Sequence, residues 1–293
     1  MLDVRFNTLL SVAKTKNFTH SAEQLSLTQP AVSHHIKQLE TEYGIRIFDK
    51  NGKNLQLTKA GELLVEYAEH SRVLENAFHV NLRSVLDEPT HFSVGVTTTL
   101  AEYILSNILA RYCKKHPNIT VDVFWSDRRT LVKKLCDYEL DWILINYATP
   151  EGCREYKLCD DESHIIVSKD HHLAKSNSID FEVLRKEKFI LCYKDNLAMQ
   201  LFNNRLQEIN MSVDELNIVV ETNSMKVIKS MVAANVGISV LQKVACIQEI
   251  IEGSIVPLAI NNFSMPGEVK FVYRQDFAYP DIFKEMSEIY KNI

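Results

Sequence analysis

Residues 28–44 read Thr28-Gln29-Pro30-Ala31-Val32-Ser33-His34-His35-Ile36-Lys37-Gln38-Leu39-Glu40-Thr41-Glu42-Tyr43-Gly44. The hydroxyl of Thr28 suits a helix N-cap, and Pro30 falls in the first turn, where a missing N–H costs nothing. Val32, Ile36, Leu39 and Tyr43 stand at i, i+4, i+7 and i+11, one apolar stripe on a helix. Gln29, Ser33, His34 and Lys37 fall on the opposite face. Gly44 ends the helix at a position suited to the left-handed conformation.

Working outward, residues 2–15 carry Val4, Phe6, Leu9, Leu10, Val12 and Ala13 at helical spacing. Asn17 and Phe18 break that helix, and Thr19 is expected to cap a short one over 20–25, with Ala22 and Leu25 facing inward. Two helices joined by a short turn, the second offering polar groups from its N-terminal half, are the geometry of a helix-turn-helix, whose second helix enters the major groove. Gln makes two hydrogen bonds to an adenine edge, Ser bonds to several bases, and His donates to guanine acceptors. Over 45–57, Asn51-Gly52 marks a tight turn between two short strands. Lys50 and Lys53 flank that turn within reach of phosphates, which makes a wing. The competing reading is a small helical domain with a solvated polar face.

The run Phe6, Val12-Ala13, Asn17-Phe18-Thr19, Ala22, Leu25, Thr28 to Ser33, Ile36-Lys37, Leu39-Glu40, Tyr43-Gly44, Ile47-Phe48, closed by Leu57-Thr58 and Ala60-Gly61, resembles the N-terminal signature of LysR-type transcriptional regulators. It departs from that pattern at Ser21, where the family often has a second alanine, at Lys50, which is usually arginine, and at His34, where Arg or Gln is common. The resemblance implies that Gln29, Pro30, Ser33 and His34 face bases. It also implies that Thr28, Lys37, Lys50 and Lys53 contact phosphates. It further implies a homodimer or homotetramer on an interrupted palindromic operator in double-stranded DNA, and a small-molecule effector.

The charge fits such a reading once it is divided. Eight Lys and Arg against five Asp and Glu give the first sixty residues +3, leaving −8 to the rest of a chain whose net charge is −5. With 24% charged and 46% hydrophobic residues, disorder is excluded. No apolar run is long enough to span a bilayer, no secretory leader is visible, and six scattered cysteines fit a reducing compartment, so a cytoplasmic protein without a membrane is expected. The eight glycines include no G-x-G-x-x-G and no Walker A loop, and G-x-S-x-G, H-E-x-x-H and C-x-x-C are absent too. A non-enzymatic protein without cofactor is the expectation.

Residues 58–87 read as one long helix capped by Thr58. Ala60, Leu64, Tyr67, Ser71, Leu74, Phe78, Leu82 and Val85 follow in steps of three or four, a near-heptad seam suited to a partner helix or to the protein's own body. Residues 87–91 then read as a hinge. Beyond it, strands at 92–97, 119–125 and 142–146 alternate with helices at 100–115 and 130–138, which implies a parallel sheet covered on both faces. A second series places strands near 164–168, 189–193, 218–221, 238–241 and 254–260, with helices at 197–209, 224–234 and 243–251, before a strand at 269–274 and a helix at 282–290. The expected fold is α/β: a winged helix-turn-helix over 1–58, a linker helix over 59–87 and an effector domain over 88–293. That domain has two lobes, about 92–160 with 266–293 and about 161–265, and resembles the family's effector domain, itself similar to periplasmic binding proteins.

In such folds ligands sit beyond the C-terminal ends of parallel strands, where helix N-termini offer free N–H groups. Those positions are Thr97, Thr98 and Thr99, then Ser126 and Arg128, then Asn146, and Thr222 with Asn223 in the other lobe. Hydroxyls, amides and an arginine suit a small anionic metabolite. Threonines also cap helices everywhere, and an arginine on a loop is equally a solvated charge. Some members of the family sense peroxide through a cysteine at the start of the helix after the 189–193 strand. Here 194–199 hold none and Cys192 lies within the strand, so no thiol switch is expected. Cys159, Asp160, His164, His171 and His172 lack ligand spacing, so no metal is expected either. The alternative function is an enzyme or solute-binding body fused to a DNA-binding head.

Overall fold

The structure, a computed structural model, describes residues 3–51, 54–86, 91–176, 178–193 and 196–292, with the side chains at 50, 51, 54 and 83–86 outside that description. The chain divides into two units, residues 1–88 with 137–139, and residues 89–136 with 140–293.

In the first unit, α1 (Val4–Thr15) starts at Asp3, whose carboxylate accepts the Arg5 N–H, and ends at Lys16 in the left-handed region. Asn17, not Thr19, caps α2 (Phe18–Gln24): its Oδ1 accepts the amides of Thr19 and His20 at 2.9 and 3.1 Å. An amide side chain caps as well as a hydroxyl, so the earlier residue takes the position. The Thr28 hydroxyl accepts the Ala31 amide at the start of α3 (Gln29–Tyr43), and Gly44 closes the helix at φ 64°. Val32, Ile36 and Leu39 are buried with Leu9, Val12, Ala22 and Ile47, each of the larger side chains worth roughly 1.5–3 kcal/mol. Tyr43 departs from the expected stripe: it is 43% exposed and rests its ring against Phe6. Strands β1 (Phe48–Asn51) and β2 (Asn54–Leu57) pair antiparallel, Phe48 opposite Leu57. Gly52 and Lys53 of the expected turn lie outside the described residues.

The long helix is α4 (Lys59–Leu86), capped by Thr58, whose Oγ1 accepts the Gly61 amide at 2.9 Å. Its seam splits. Leu64 and Ala68 turn into the core of the unit, while Leu63, Tyr67, Leu74, Phe78 and Leu82 stay exposed. The expected hinge at 87–90 lies outside the described residues, and His91 opens the next strand.

The second unit holds two sheets. The first has the order β4-β3-β5-β12-β6, formed by β3 (His91–Val96), β4 (Thr120–Trp125), β5 (Trp142–Ile145), β6 (Cys153–Asp160) and β12 (Glu268–Arg274). Strand β3 pairs parallel with β4 and β5, as expected, but β12 inserts antiparallel between β5 and β6. The sheet is therefore mixed rather than parallel, because the C-terminal strand returns to it. Strand β6 was not anticipated: as an edge strand it exposes Arg154, Glu155, Lys157 and Asp160, and so many charges read as a loop. Behind the sheet, Trp142 meets Phe271 and Phe283 edge-to-face at 5.4 and 5.8 Å.

The helix expected over 100–115 begins two residues earlier and is interrupted: α5 (Thr98–Leu100), a π segment (Ala101–Leu105), then α6 (Ser106–Lys115). Helix α7 (Arg128–Cys136) also starts two residues early. The second sheet is antiparallel, β10-β7-β11, from β7 (Ser163–Ser168), β10 (Ser239–Gln242) and β11 (Ile255–Leu258). Beside it β8 (Lys188–Leu191) pairs parallel with β9 (Asn217–Glu221). Around them lie α8 (Phe181–Leu184), too short to be foreseen, with α9 (Leu197–Glu208), α10 (Met225–Ala233) and α11 (Lys243–Ile251). Helix α12 (Ile282–Lys291) ends the chain against the first sheet, with Phe283 and Met286 buried. Among the described residues no helix is long and apolar enough to cross a membrane.

Candidate functional site

Two regions concentrate polar groups, one in each unit. In the first, Gln29, Pro30, His34 and Lys37 are exposed along α3 and Ser33 is half-buried. They lie opposite the buried stripe Val32, Ile36 and Leu39. The helix thus offers one apolar face inward and one hydrogen-bonding face outward, as its spacing predicts. Thr28 is exposed but its Oγ1 already holds the Ala31 amide at 3.4 Å. The side chain of Lys50 and all of Lys53 lie outside the described residues. Arg46, a cation the sequence reading did not single out, is 84% exposed just before β1 and stands only 3.9 Å from Asp49.

In the second unit a cavity of about 1190 Å³ is lined by the starts of four helices. Thr97, Thr98 and Thr99 come from the start of α5, Ser126, Asp127 and Arg128 from α7, Asn196 and Leu197 from α9, and Asn223 and Ser224 from α10. Asn146 lines it from the end of β5. The sequence-predicted residues therefore converge, except Thr222. That hydroxyl accepts the Ser224 amide at 3.2 Å and shapes the turn before α10 without reaching the wall.

The four helix starts differ in what already occupies their amides. Asp127 accepts the Thr130 amide at 3.1 Å and the Thr130 hydroxyl at 2.6 Å, bonds that hold its carboxyl below the usual carboxylate range. Asn196 accepts the Ala198 amide at 2.9 Å, and Ser224 accepts that of Val227 at 3.4 Å. Thr97 makes no capping hydrogen bond, so the first-turn amides of α5 keep their donor capacity toward the cavity.

Arg128 is exposed yet held, donating to the Ala148 carbonyl at 3.0 Å with its guanidinium 5.4 Å above the Tyr147 ring. Asn146 is buried and bonds to Asp161, a carboxylate only 1% exposed. Asp161 also accepts Gln242 Nε2 at 2.9 Å and the Val244 amide at 3.1 Å. Burial pushes its carboxyl up to about 6 against these bonds. Because Asn146 and Gln242 both line the cavity, this buried acid sits directly behind the wall.

Arg129, Lys226, Glu102, Tyr103 and Trp125 line the cavity as well and were not foreseen. Glu102 and Tyr103 belong to the π segment, and a π turn inside an α-helix carries no sequence pattern. Lys226 follows the first residue of α10, where a cation reads as an ordinary surface charge until the topology turns that helix start toward the cavity. Cys192 is buried after β8 and reaches the wall. Among the described residues, the five side chains weighed for a metal do not gather into one cluster. Asp160 pairs with Lys157 at 2.7 Å, His164 stands 4.0 Å from Glu162, and His171 and His172 meet Glu187 instead.

Comparison with known proteins agrees with both regions. The bacterial regulatory helix-turn-helix protein model of the lysR family matches residues 5–62, and the LysR substrate binding domain model matches residues 87–290. A probable RuBisCO transcriptional regulator of Thalassiosira pseudonana is 26% identical over 273 residues, which is 91% of this chain and 89% of that protein. Among solved structures, a variant of full-length OxyR from Pseudomonas aeruginosa superposes with a TM-score of 0.65 at 23% identity, covering 98% of this chain and 93% of that one. The regulatory domain of CcmR from Synechocystis, in complex with 2-PG, gives a TM-score of 0.60 at 20% identity over 69% of this chain and 98% of that domain. The chain belongs to the LysR family of DNA-binding transcriptional regulators.

Proposed function

We propose that the second unit senses a small anionic metabolite in the cavity behind Thr97–Thr99, and that its occupancy sets how the first unit engages an interrupted palindromic operator in the cytoplasm. The observation that carries the anion is the convergence of four helix starts on one cavity, three capped by a side chain and one, α5, uncapped. Aligned peptide dipoles and free amides at a helix start favour negative charge. Arg128, Arg129 and Lys226 outnumber Glu102 and Asp127 on the wall, which adds to the same sign. The structural neighbour in complex with 2-PG, a small anion, is consistent with that chemistry.

Calorimetry tests the reading. Thr98→Ala removes a hydroxyl from the uncapped turn and should weaken binding of the anion that a metabolite screen selects by roughly 10- to 100-fold, the worth of one hydrogen bond to a charged group. An unchanged affinity would remove Thr98 and its helix start from the site.

For the first unit, base reading is assigned to Gln29, Pro30, Ser33 and His34, and phosphate contact to Thr28, Lys37, Lys50 and Lys53. Gln29→Ala should reduce discrimination between operator variants by about 1–3 kcal/mol at one base pair. Lys37→Ala should weaken all sequences alike and reduce the salt slope of binding by about one. If titrations across salt and operator variants gave the two substitutions the same signature, this division of labour would be wrong. The exposed stripe Leu63, Tyr67, Leu74, Phe78 and Leu82 on α4 supports a homodimer, or a tetramer of two dimers, joined through that helix.

A further inference from the structure

Away from the cavity, the turn after β7 and the approach to β8 bring two imidazoles and a carboxylate together. His171 Nε2 lies 3.4 Å from Glu187 Oε2 and His172 Nε2 lies 3.2 Å from Glu187 Oε1. The rings of His171 and His172 are 4.4 Å apart and tilted by 31°. One donor atom from each of the three residues falls within 4.8 Å of the other two. We propose that His171, His172 and Glu187 form a binding site for a divalent cation of the zinc class.

The geometry suits such an ion. Ligands held about 2.0–2.1 Å from a tetrahedral zinc lie roughly 3.3–3.4 Å from one another, close to the two imidazole–Glu187 separations, and the two imidazole nitrogens fall within 4.8 Å of each other. Two imidazole nitrogens and one carboxyl oxygen select a borderline transition ion over magnesium or calcium, which take oxygen donors. The burial is graded in a useful way. The side chain of His171 is 8% exposed and that of Glu187 18%, whereas His172 is 65% exposed. An ion would enter from the His172 side and keep a water on its open face.

The scaffold holds the donors before any ion arrives. The His171 amide donates to the Ser168 carbonyl at 3.0 Å, and the His171 carbonyl accepts the Ala174 amide at 2.9 Å. The Glu187 amide donates to Leu184 at 2.9 Å, at the end of α8. Burial holds the His171 imidazole below its ordinary pKa, hence neutral and able to coordinate at neutral pH. His171 Nδ1 lies 3.3 Å from the Leu173 amide, which donates to it, so in the metal-free protein the ring proton sits on Nε2, facing Glu187. Coordination through Nε2 requires the other tautomer: the ring proton moves to Nδ1, at the cost of the long hydrogen bond from the Leu173 amide. The bound ion ties together the two ends of the segment 171–187, which contains α8.

The test is a titration of the purified full-length chain with zinc alone, followed by calorimetry, and with cobalt, followed by visible absorption. One ion per chain should bind at this site, and cobalt should give the d–d bands of a tetrahedral ion without a thiolate charge-transfer band. His172→Ala removes an exposed ligand and does not threaten folding. This variant and Glu187→Gln should each weaken zinc by more than about 100-fold, beyond the 10- to 100-fold that follows loss of a group merely supporting a ligand. His164→Ala should change nothing. Heteronuclear NMR of the His171 ring should report the loss of the Nε2 proton as zinc is added. Zinc affinity unchanged in His172→Ala and Glu187→Gln, or a cobalt spectrum dominated by thiolate, would overturn the proposal.

Discussion

Gly61→Ala should lower the stability of the first unit by about 3 kcal/mol and abolish its DNA binding at physiological temperature. Helix propensity alone argues the other way, since alanine in a helix is worth about 1 kcal/mol over glycine. Space decides against it. A Cβ on Gly61 would stand 2.1 Å from the carbonyl oxygen of Ile47 and 3.0 Å from its carbonyl carbon. Neither side can yield cheaply. The Ile47 carbonyl accepts the Thr58 amide at 3.0 Å, the Ile47 amide donates to Glu40 at 2.8 Å, and its side chain is fully buried. On the helix side, Thr58 accepts the Gly61 amide and donates its hydroxyl to the Arg46 carbonyl at 2.6 Å. Moving α4 outward breaks its cap, and moving Ile47 disrupts the entry to β1. Gly44→Ala is the comparison. Its backbone is left-handed but open space surrounds it, so only the conformational cost of about 1 kcal/mol is expected. Thermal unfolding and a DNA-binding titration of both variants check the ranking. A Gly61→Ala protein with wild-type melting and affinity would refute it.

The local elements of the first unit were legible because their signals are short-range. Capping by Thr28, the stripe Val32, Ile36 and Leu39, and the left-handed Gly44 each depend on residues within about two helical turns of one another. Tyr43 escaped the same logic because the stripe outruns the core: at the last turn of α3 its side chain stays 43% exposed and leans on Phe6. In the second unit the strands with apolar runs, such as Trp142–Ile145, could be read directly. Strand Cys153–Asp160 could not, because its pairing with Glu268–Arg274 joins residues more than a hundred positions apart and its exposed side chains are charged. The antiparallel insertion of that late strand was hidden for the same reason.

The cavity was legible to the extent that helix starts follow strand ends. That rule located Thr97–Thr99, Ser126, Arg128, Asn146 and Asn223 on the wall. It missed Glu102 and Tyr103, which lie past the helix start in a π segment that carries no sequence pattern, and it missed Arg129 and Lys226, which carry no mark beyond charge. It also admitted Thr222, one residue too early, whose hydroxyl serves the turn. The group His171, His172 and Glu187 was unreadable because its third member arrives through the fold from beyond α8.

Asp161→Asn should become more stable relative to the wild type as pH rises from about 4 to 7, by roughly 3 kcal/mol in total. The sign follows from the direction of the shift. Burial raises the native carboxyl to about 6 against 3.8 for the ordinary aspartate, so between these values the native state binds more protons than the unfolded chain. Wild-type stability owed to this group is complete below about pH 4 and is lost as pH rises through about 6. Asparagine keeps the shape and removes the titration. One of its amide atoms still accepts the Val244 amide, and Gln242 can turn its side-chain amide to present an acceptor to the new NH2. Other carboxylates titrate in both proteins and cancel in the difference, and Lys243, the nearby cation opposing the shift, is common to both. Denaturant unfolding of the two proteins at pH 4, 5, 6 and 7 measures the difference directly. It should be steepest between pH 4 and 6 and level off only above about pH 7, where the carboxylate is ionised in both states. A difference that does not vary with pH would mean that Asp161 keeps an ordinary pKa and that the wall behind Asn146 and Gln242 is already charged at pH 4.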